Sequence, residues 1–210
     1  RDRSVSRGLG DVYKRQVLEV NASMGVIVAA PTAGSSGVVP GVLFALQEEF
    51  DLSDEELLNG LYTAGAVGYL LMRNASVSGA EAGCQAEVGA ASAMAAAAAV
   101  EMMGGSPKMC LWAATGALSN LLGLVCDPIA GLVEAPCQNR NSIGASNALI
   151  CAEQALAGIH QIIPFDEMAE AMYHVGRCLP FELRESALGG CAGTTSACEK
   201  SCKIFGNTEE

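Results

Sequence analysis

The chain has 210 residues, half of them hydrophobic, with 17% charged and 5% aromatic side chains. That length and apolar content describe one domain, at most two, able to bury a core, and they exclude a disordered tail or a fibre. The net charge of −11, from 12 basic and 23 acidic residues, argues against a nucleic-acid partner, which needs clustered Lys and Arg to neutralise phosphates.

Residues 1–16, RDRSVSRGLGDVYKRQ, hold five basic and two acidic residues and lack apolar periodicity. A secretory signal would need an apolar segment of roughly 7–15 residues, which this stretch does not contain. Its ending, Asp11 to Gln16, resembles the in-frame translation of a transposase mosaic-end sequencing adapter. Residues 1–16 are therefore expected to be a non-native segment and residues 17–210 the folded domain, lacking an N-terminal portion. The alternative is an ordinary basic arm, and uninterrupted genomic DNA encoding DVYKRQ would establish it. Without this stretch the charge is −14, from 7 basic and 21 acidic residues.

From Val17 the chain reads as helices separated by Gly- and Pro-containing loops. Gly34-Ser35-Ser36-Gly37 between Pro31 and Pro40 is a loop, and a helix follows Gly41 as VLFALQEE. Ser53 with Glu56 three residues on forms a capping box, starting a helix that runs to about Arg73. NASVSGAEAG, residues 74–83, is a polar loop. A helix over about Gln85–Met103 contains five consecutive alanines, a composition that fits only where helices approach closely. Gly104 to Pro107 ends it, and another helix spans about Pro107–Leu124. A loop covers Val125–Asn141, helices follow from Ser142 and over Phe165–Cys178, and Pro180 and Gly189-Gly190 punctuate the tail. No period-2 pattern occurs, so the expected class is all-α, a compact bundle of buried, small-residue-rich helices. Met109–Cys126 is 18 uncharged residues long, at the lower edge of a membrane span. Thr115, Ser119 and Asn120, without a flanking basic cluster, favour a buried helix and no membrane.

Nine cysteines, an odd number without a signal sequence, disfavour a disulfide framework. Cys110 and Cys151, inside predicted helices, read as small core hydrophobes. Cys84 opens a helix after NASVSGAEAG, and Cys126 and Cys137 flank CDPIAGLVEAPCQNRN. All three fall at loop–helix junctions, where backbone N–H groups favour a thiolate. Three such thiolates can hold a [4Fe–4S] cluster with one open iron, and zinc competes as the metal; spacing alone does not choose.

NASMGVIVAAPTAGSSGVVPG, NASVSGAEAGCQAEVG and CDPIAGLVEAPCQNRNSIGASNA resemble segments of the α chain of iron–sulfur-dependent L-serine dehydratases. FDEMAEAMYHVGRCLPFELRESALGGCAGT resembles that family's C-terminal segment, so the likeness covers nearly all of Val17–Gly206. The resemblance implies an all-helical fold and a [4Fe–4S] cluster on Cys84, Cys126 and Cys137. It further implies deamination of L-serine to pyruvate and ammonia without pyridoxal phosphate, with an open iron polarising the serine hydroxyl. No lysine stands in a Schiff-base context. Expected substrate contacts are Thr32, Ser35 and Ser36 in PTAGSSG, Asn74, Ser76 and Ser78 before Cys84, and Arg140 after Cys137. Each has a plainer alternative, since loop Ser and Asn cap helices and an Arg can tie down its loop. His160 and His174 lie outside the motif segments and read as surface or core residues, leaving the general base unassigned.

The likeness also implies a reducing cytoplasm, a β subunit and a homo- or hetero-oligomer. Family α chains continue further toward the N-terminus, so the chain as it stands is expected to be inactive or unstable. The rival readings are a non-catalytic metal- or cluster-holding subunit of a larger complex and a small-residue-rich membrane bundle.

Overall fold

The computed structural model describes residues 16–206. The segment read as non-native lies outside the described residues, apart from Gln16. The described chain opens with helical residues 16–22 (α1), then an extended stretch to the PTAGSSG turn. Helix α2 spans Val38–Phe50, α3 Asp54–Asn74, α4 Gly79–Ala82, α5 Cys84–Met102 and α6 Pro107–Asn120. After a loop holding a 3-10 turn at Ile129–Gly131 come α7, Cys137–Leu156, and α8, Phe165–Cys178. Short 3-10 turns at Phe181–Leu183 and Gly190–Gly193 lead to α9, Thr195–Phe205. The fold is all-α; the only β pairing among the described residues is an isolated bridge between Cys126 and Arg184.

Helix α5 is the centre of the bundle, with α2, α3, α6 and α7 packed around it. Every residue of α5 except Glu87 and Glu101 is buried. Alanine explains how four helices fit around one: it has the highest helix propensity and keeps the axes close. The neighbours match it with glycines. An added Cβ on Gly60 would stand 2.6 Å from Met102 Cγ, and one on Gly144 2.7 Å from Val88 Cγ1. Larger side chains such as Leu71 and Leu118 fill the remaining space, and burial of each stabilises the fold by roughly 1.5–3 kcal/mol. A buried polar lattice sets the register of three helices. Ser92 Oγ donates to Gly144 O (2.7 Å), while Asn147 Nδ2 donates to Ser92 Oγ and to Ala117 O, each at 3.0 Å.

Several boundaries differ from the sequence-based expectation. Helix α2 starts at Val38, so Pro40 occupies its first turn, where the missing N–H leaves no intrahelical bond unmade. The 74–83 loop contains the single turn α4. Helix α6 ends at Asn120 rather than Leu124, so the uncharged 109–126 stretch divides into a helix and a loop. Helix α7 starts at Cys137, five residues before Ser142, and α9 was not anticipated. No helix among the described residues is long and apolar enough to cross a membrane.

Candidate metal centre

Four chain segments meet at one end of α5. The first is the turn before α5. Gly83 has φ +76°, and a Cβ there would lie 2.6 Å from Leu179 Cδ1 and 2.8 Å from Leu124 O, so glycine is required for this approach. Cys84 follows as the first residue of α5. The fully buried Gln85 fixes that turn. Its Nε2 donates to Ala82 O and Met172 O, both at 2.9 Å, and its Oε1 accepts from Gly123 N at 2.8 Å.

The second segment carries Cys126, six residues past the end of α6. Cys126 N donates to Leu183 O (2.9 Å) and Glu185 N donates to Cys126 O (2.7 Å). Cys126 therefore sits in an extended bridge rather than at a loop–helix junction, which corrects the expectation for this residue. The strap that holds it carries Glu185 and Ala187 at φ +61° and +58°. Next to it, the buried Asp127 pairs with Arg140 at 2.5 Å and accepts from Cys191 N at 2.6 Å. Arg140 also donates to Val125 O at 2.7 Å. Arg140 thus ties the Cys126 loop to α7.

Cys137, the first residue of α7, brings in the third segment. Asn141, one turn on, donates from Nδ2 to Cys137 O (2.9 Å) and to Gly34 O (2.7 Å), clamping the PTAGSSG turn to this helix. Its buried Oδ1 has no hydrogen-bond partner among the described residues.

The PTAGSSG turn is the fourth segment. Thr32 Oγ1 donates to Glu87 Oε1 and lies 3.0 Å from Ser35 Oγ. Ser35 and Ser36 are buried, and Ser36 Oγ donates to Ala33 O at 2.7 Å.

The ligand atoms of Cys84, Glu87 and Cys126 all lie within 4.8 Å of one another. The Cys126 thiol hydrogen-bonds to Cys84, lowering the Cys84 pKa and raising that of Cys126; burial raises Cys126 further. Burial, followed by the charges of Cys84 and Glu87, pushes Cys137 up to about 12. Desolvation also raises Glu87, against the lowering effect of the Thr32 bond. Cys84, Cys126 and Glu87 form a donor set suited to a cation, whose charge would offset the effect of Glu87 on both thiols; Cys137 lies outside this 4.8 Å group, near enough for the charges of Cys84 and Glu87 to raise it.

A family model for the serine dehydratase alpha chain matches residues 11–192. The chain belongs to that family. It is 57% identical over 188 residues to the probable L-serine dehydratase alpha chain of Bacillus subtilis, covering 90% of this chain and 63% of that one. The corresponding protein of Latilactobacillus sakei is 51% identical over 188 residues, with 90% of each chain covered. The L-serine dehydratase alpha chain of Peptoniphilus asaccharolyticus is 53% identical over 176 residues, covering 84% of this chain and 60% of that one. The chain thus spans less than two thirds of the length of the Bacillus and Peptoniphilus relatives.

Within this serine dehydratase alpha chain fold, the expected substrate contacts divide. Thr32 and Ser35 border the centre through Glu87. Ser76 donates to Glu81 Oε2 (2.6 Å) and accepts from Ser78 N (3.1 Å), shaping the turn into α4. Asn74 is exposed and donates to Leu70 O (2.9 Å), closing α3. His174 is exposed beside Glu170, and His160 is exposed against Trp112. Glu87 and Asn141 were missed by the sequence reading. Both were visible in spacing, Glu87 three residues after Cys84 and Asn141 four after Cys137, each one helical turn from a cysteine.

Proposed function

We propose that the chain is the catalytic portion of an L-serine dehydratase, converting L-serine to pyruvate and ammonia at a [4Fe–4S] cluster held by Cys84, Cys126 and Cys137. The observation that carries this reading is the convergence of Cys84, Cys126 and Glu87 within 4.8 Å, with Cys137, at the head of α7, outside that group but within reach of the charges of Cys84 and Glu87. The donor chemistry fits the group: thiolates suit iron–sulfur centres, and Gly34 and Gly79 keep bulk away from the donors. When bound, the cluster supplies an open iron that acts as a Lewis acid toward the serine hydroxyl.

The chain's own residues bind, orient and move protons. Thr32 and Ser35, with the backbone amides of the PTAGSSG turn, bind the substrate carboxylate. Ser36, Asn74, Ser76 and Ser78 shape the surrounding turns, and Arg140 holds the Cys126 loop on α7. Glu87 Oε1 is engaged by Thr32, which leaves Oε2, on the Gly79 and Cys126 side, to hold and pass a proton. The α-proton and the β-hydroxyl leave as water, and the aminoacrylate tautomerises and hydrolyses to pyruvate and ammonia in solution. The setting is a reducing cytoplasm, with a β subunit and assembly into an oligomer.

The coverage of the Bacillus relative, 63%, favours a second reading in which this portion holds the cluster and the chemistry needs further chain or a partner. Anaerobic reconstitution with iron and sulfide separates the two. Brown protein that forms pyruvate from L-serine supports the dehydratase, colour without turnover supports the cluster-holding reading, and colourless protein overturns both. Cys84→Ala, Cys126→Ala and Cys137→Ala are each expected to lose the colour, whereas Cys110→Ala keeps it.

A further inference from the structure

Helix α3 presents two faces. Gly60, Ala64, Val67, Gly68 and Leu71 are buried, on the side that packs against α5. Along the edge of that side Leu58, Leu61, Tyr62, Tyr69 and Met72 are exposed, from 47% at Leu61 to 76% at Tyr62. At about 100° per residue these five fall, with Gly65, in a stripe about 100° wide. A contiguous apolar stripe of this kind on a water-facing helix marks an interaction surface.

The stripe is symmetric about Gly65. Leu58 and Met72 lie seven residues to either side, and Leu61 and Tyr69 four. A Cβ on Gly65 would meet nothing within 4 Å, so nothing among the described residues requires a glycine there. The charges share the symmetry. Glu55, ten residues before Gly65, and Arg73, eight after it, both lie about 80° round the helix from it, on the same flank. Two α3 helices antiparallel about a two-fold axis at Gly65 would place Glu55, about 15 Å along the axis, opposite Arg73 of the partner subunit, about 12 Å along it. The match occurs at both ends, and the helix dipoles also align favourably.

We propose that this edge of α3 is a self-association surface on which a second copy of the chain packs antiparallel, with the helices crossing at Gly65. The contact is isologous, as two-fold dimers require, and the glycine lets the two axes approach closely.

Sedimentation velocity of the 210-residue chain over a range of micromolar concentrations tests this. A reversible dimer is expected. Gly65→Gln should keep the circular dichroism of the monomer and not lower its thermal midpoint, because its side chain enters open space and favours helix more than glycine does, yet weaken the dimer at least about tenfold. Glu55→Arg and Arg73→Glu should each weaken it, and the double reversal should restore it. A chain that stays monomeric, a dimer indifferent to Gly65→Gln and the reversals, or use of this face only by a different polypeptide would overturn the proposal. The dehydratase reading does not depend on the outcome.

Discussion

A methyl group at position 79 would stand 2.9 Å from Cys126 Sγ, 3.1 Å from Glu87 Oε2 and 3.4 Å from Glu185 Oε2. Of these neighbours, the sulfur has the least freedom to move, because backbone bonds to Leu183 and Glu185 hold Cys126 from both sides. Gly79→Ala is therefore expected to displace the thiol and lower the iron bound per chain after reconstitution. Thermal unfolding should change little, because α4 is only one turn long. At this scale the loop motifs around Cys84 and Cys126 point to two residues that the structure brings together with Glu87. Glu87 was not legible, because an acidic residue in the first turn of a helix reads as an ordinary favourable charge at the dipole's positive end. The pairing of Arg140 with Asp127 could not be read either, because it depends on how two loops fold back on one another.

Single elements were legible where a side chain announces the end. Ser53 Oγ accepts from Glu56 N while Glu56 Oε2 accepts from Ser53 N, closing the expected capping box. Ser53→Ala is expected to cost about 1 kcal/mol, read as a shift of the urea midpoint at unchanged slope. Helix α7 lacks such a mark. Pro136 precedes it without a side-chain cap, and its start is set by Cys137 and Asn141 docking on other segments. Helix α9 is capped by Thr194, but only Ala197 on it is buried. Its stripe, Ala197, Cys198, Cys202 and Phe205, is built mostly of small residues and stays largely exposed, a fainter mark than the Phe165, Met168 and Met172 face of α8.

For the whole molecule, the alanine-rich α5 predicted close helix packing, and the bundle bears this out. Packing around it also governs titration. Burial lifts Cys110 and Cys151 to about 11 from an ordinary value of 9.0, with Glu101 adding to the effect at Cys110. The native state keeps these protons at a pH where the unfolded chain has lost them, so their contribution is complete below pH 9 and lost as pH rises through about 11. Thermal midpoints should fall between about pH 9 and about pH 11, and the fall should be smaller in Cys151→Ala.

The strap at 183–185 lies 57 to 59 residues after Cys126 in the chain, yet it supplies both backbone partners of that cysteine. At a synthesis rate of about 5–20 residues per second, the strap trails Cys126 by roughly 3–12 s. Cys84, Cys126 and Cys137 are all made before the groups that seat the second of them. The seat of Cys126 therefore stays unfinished during synthesis until the strap has been made.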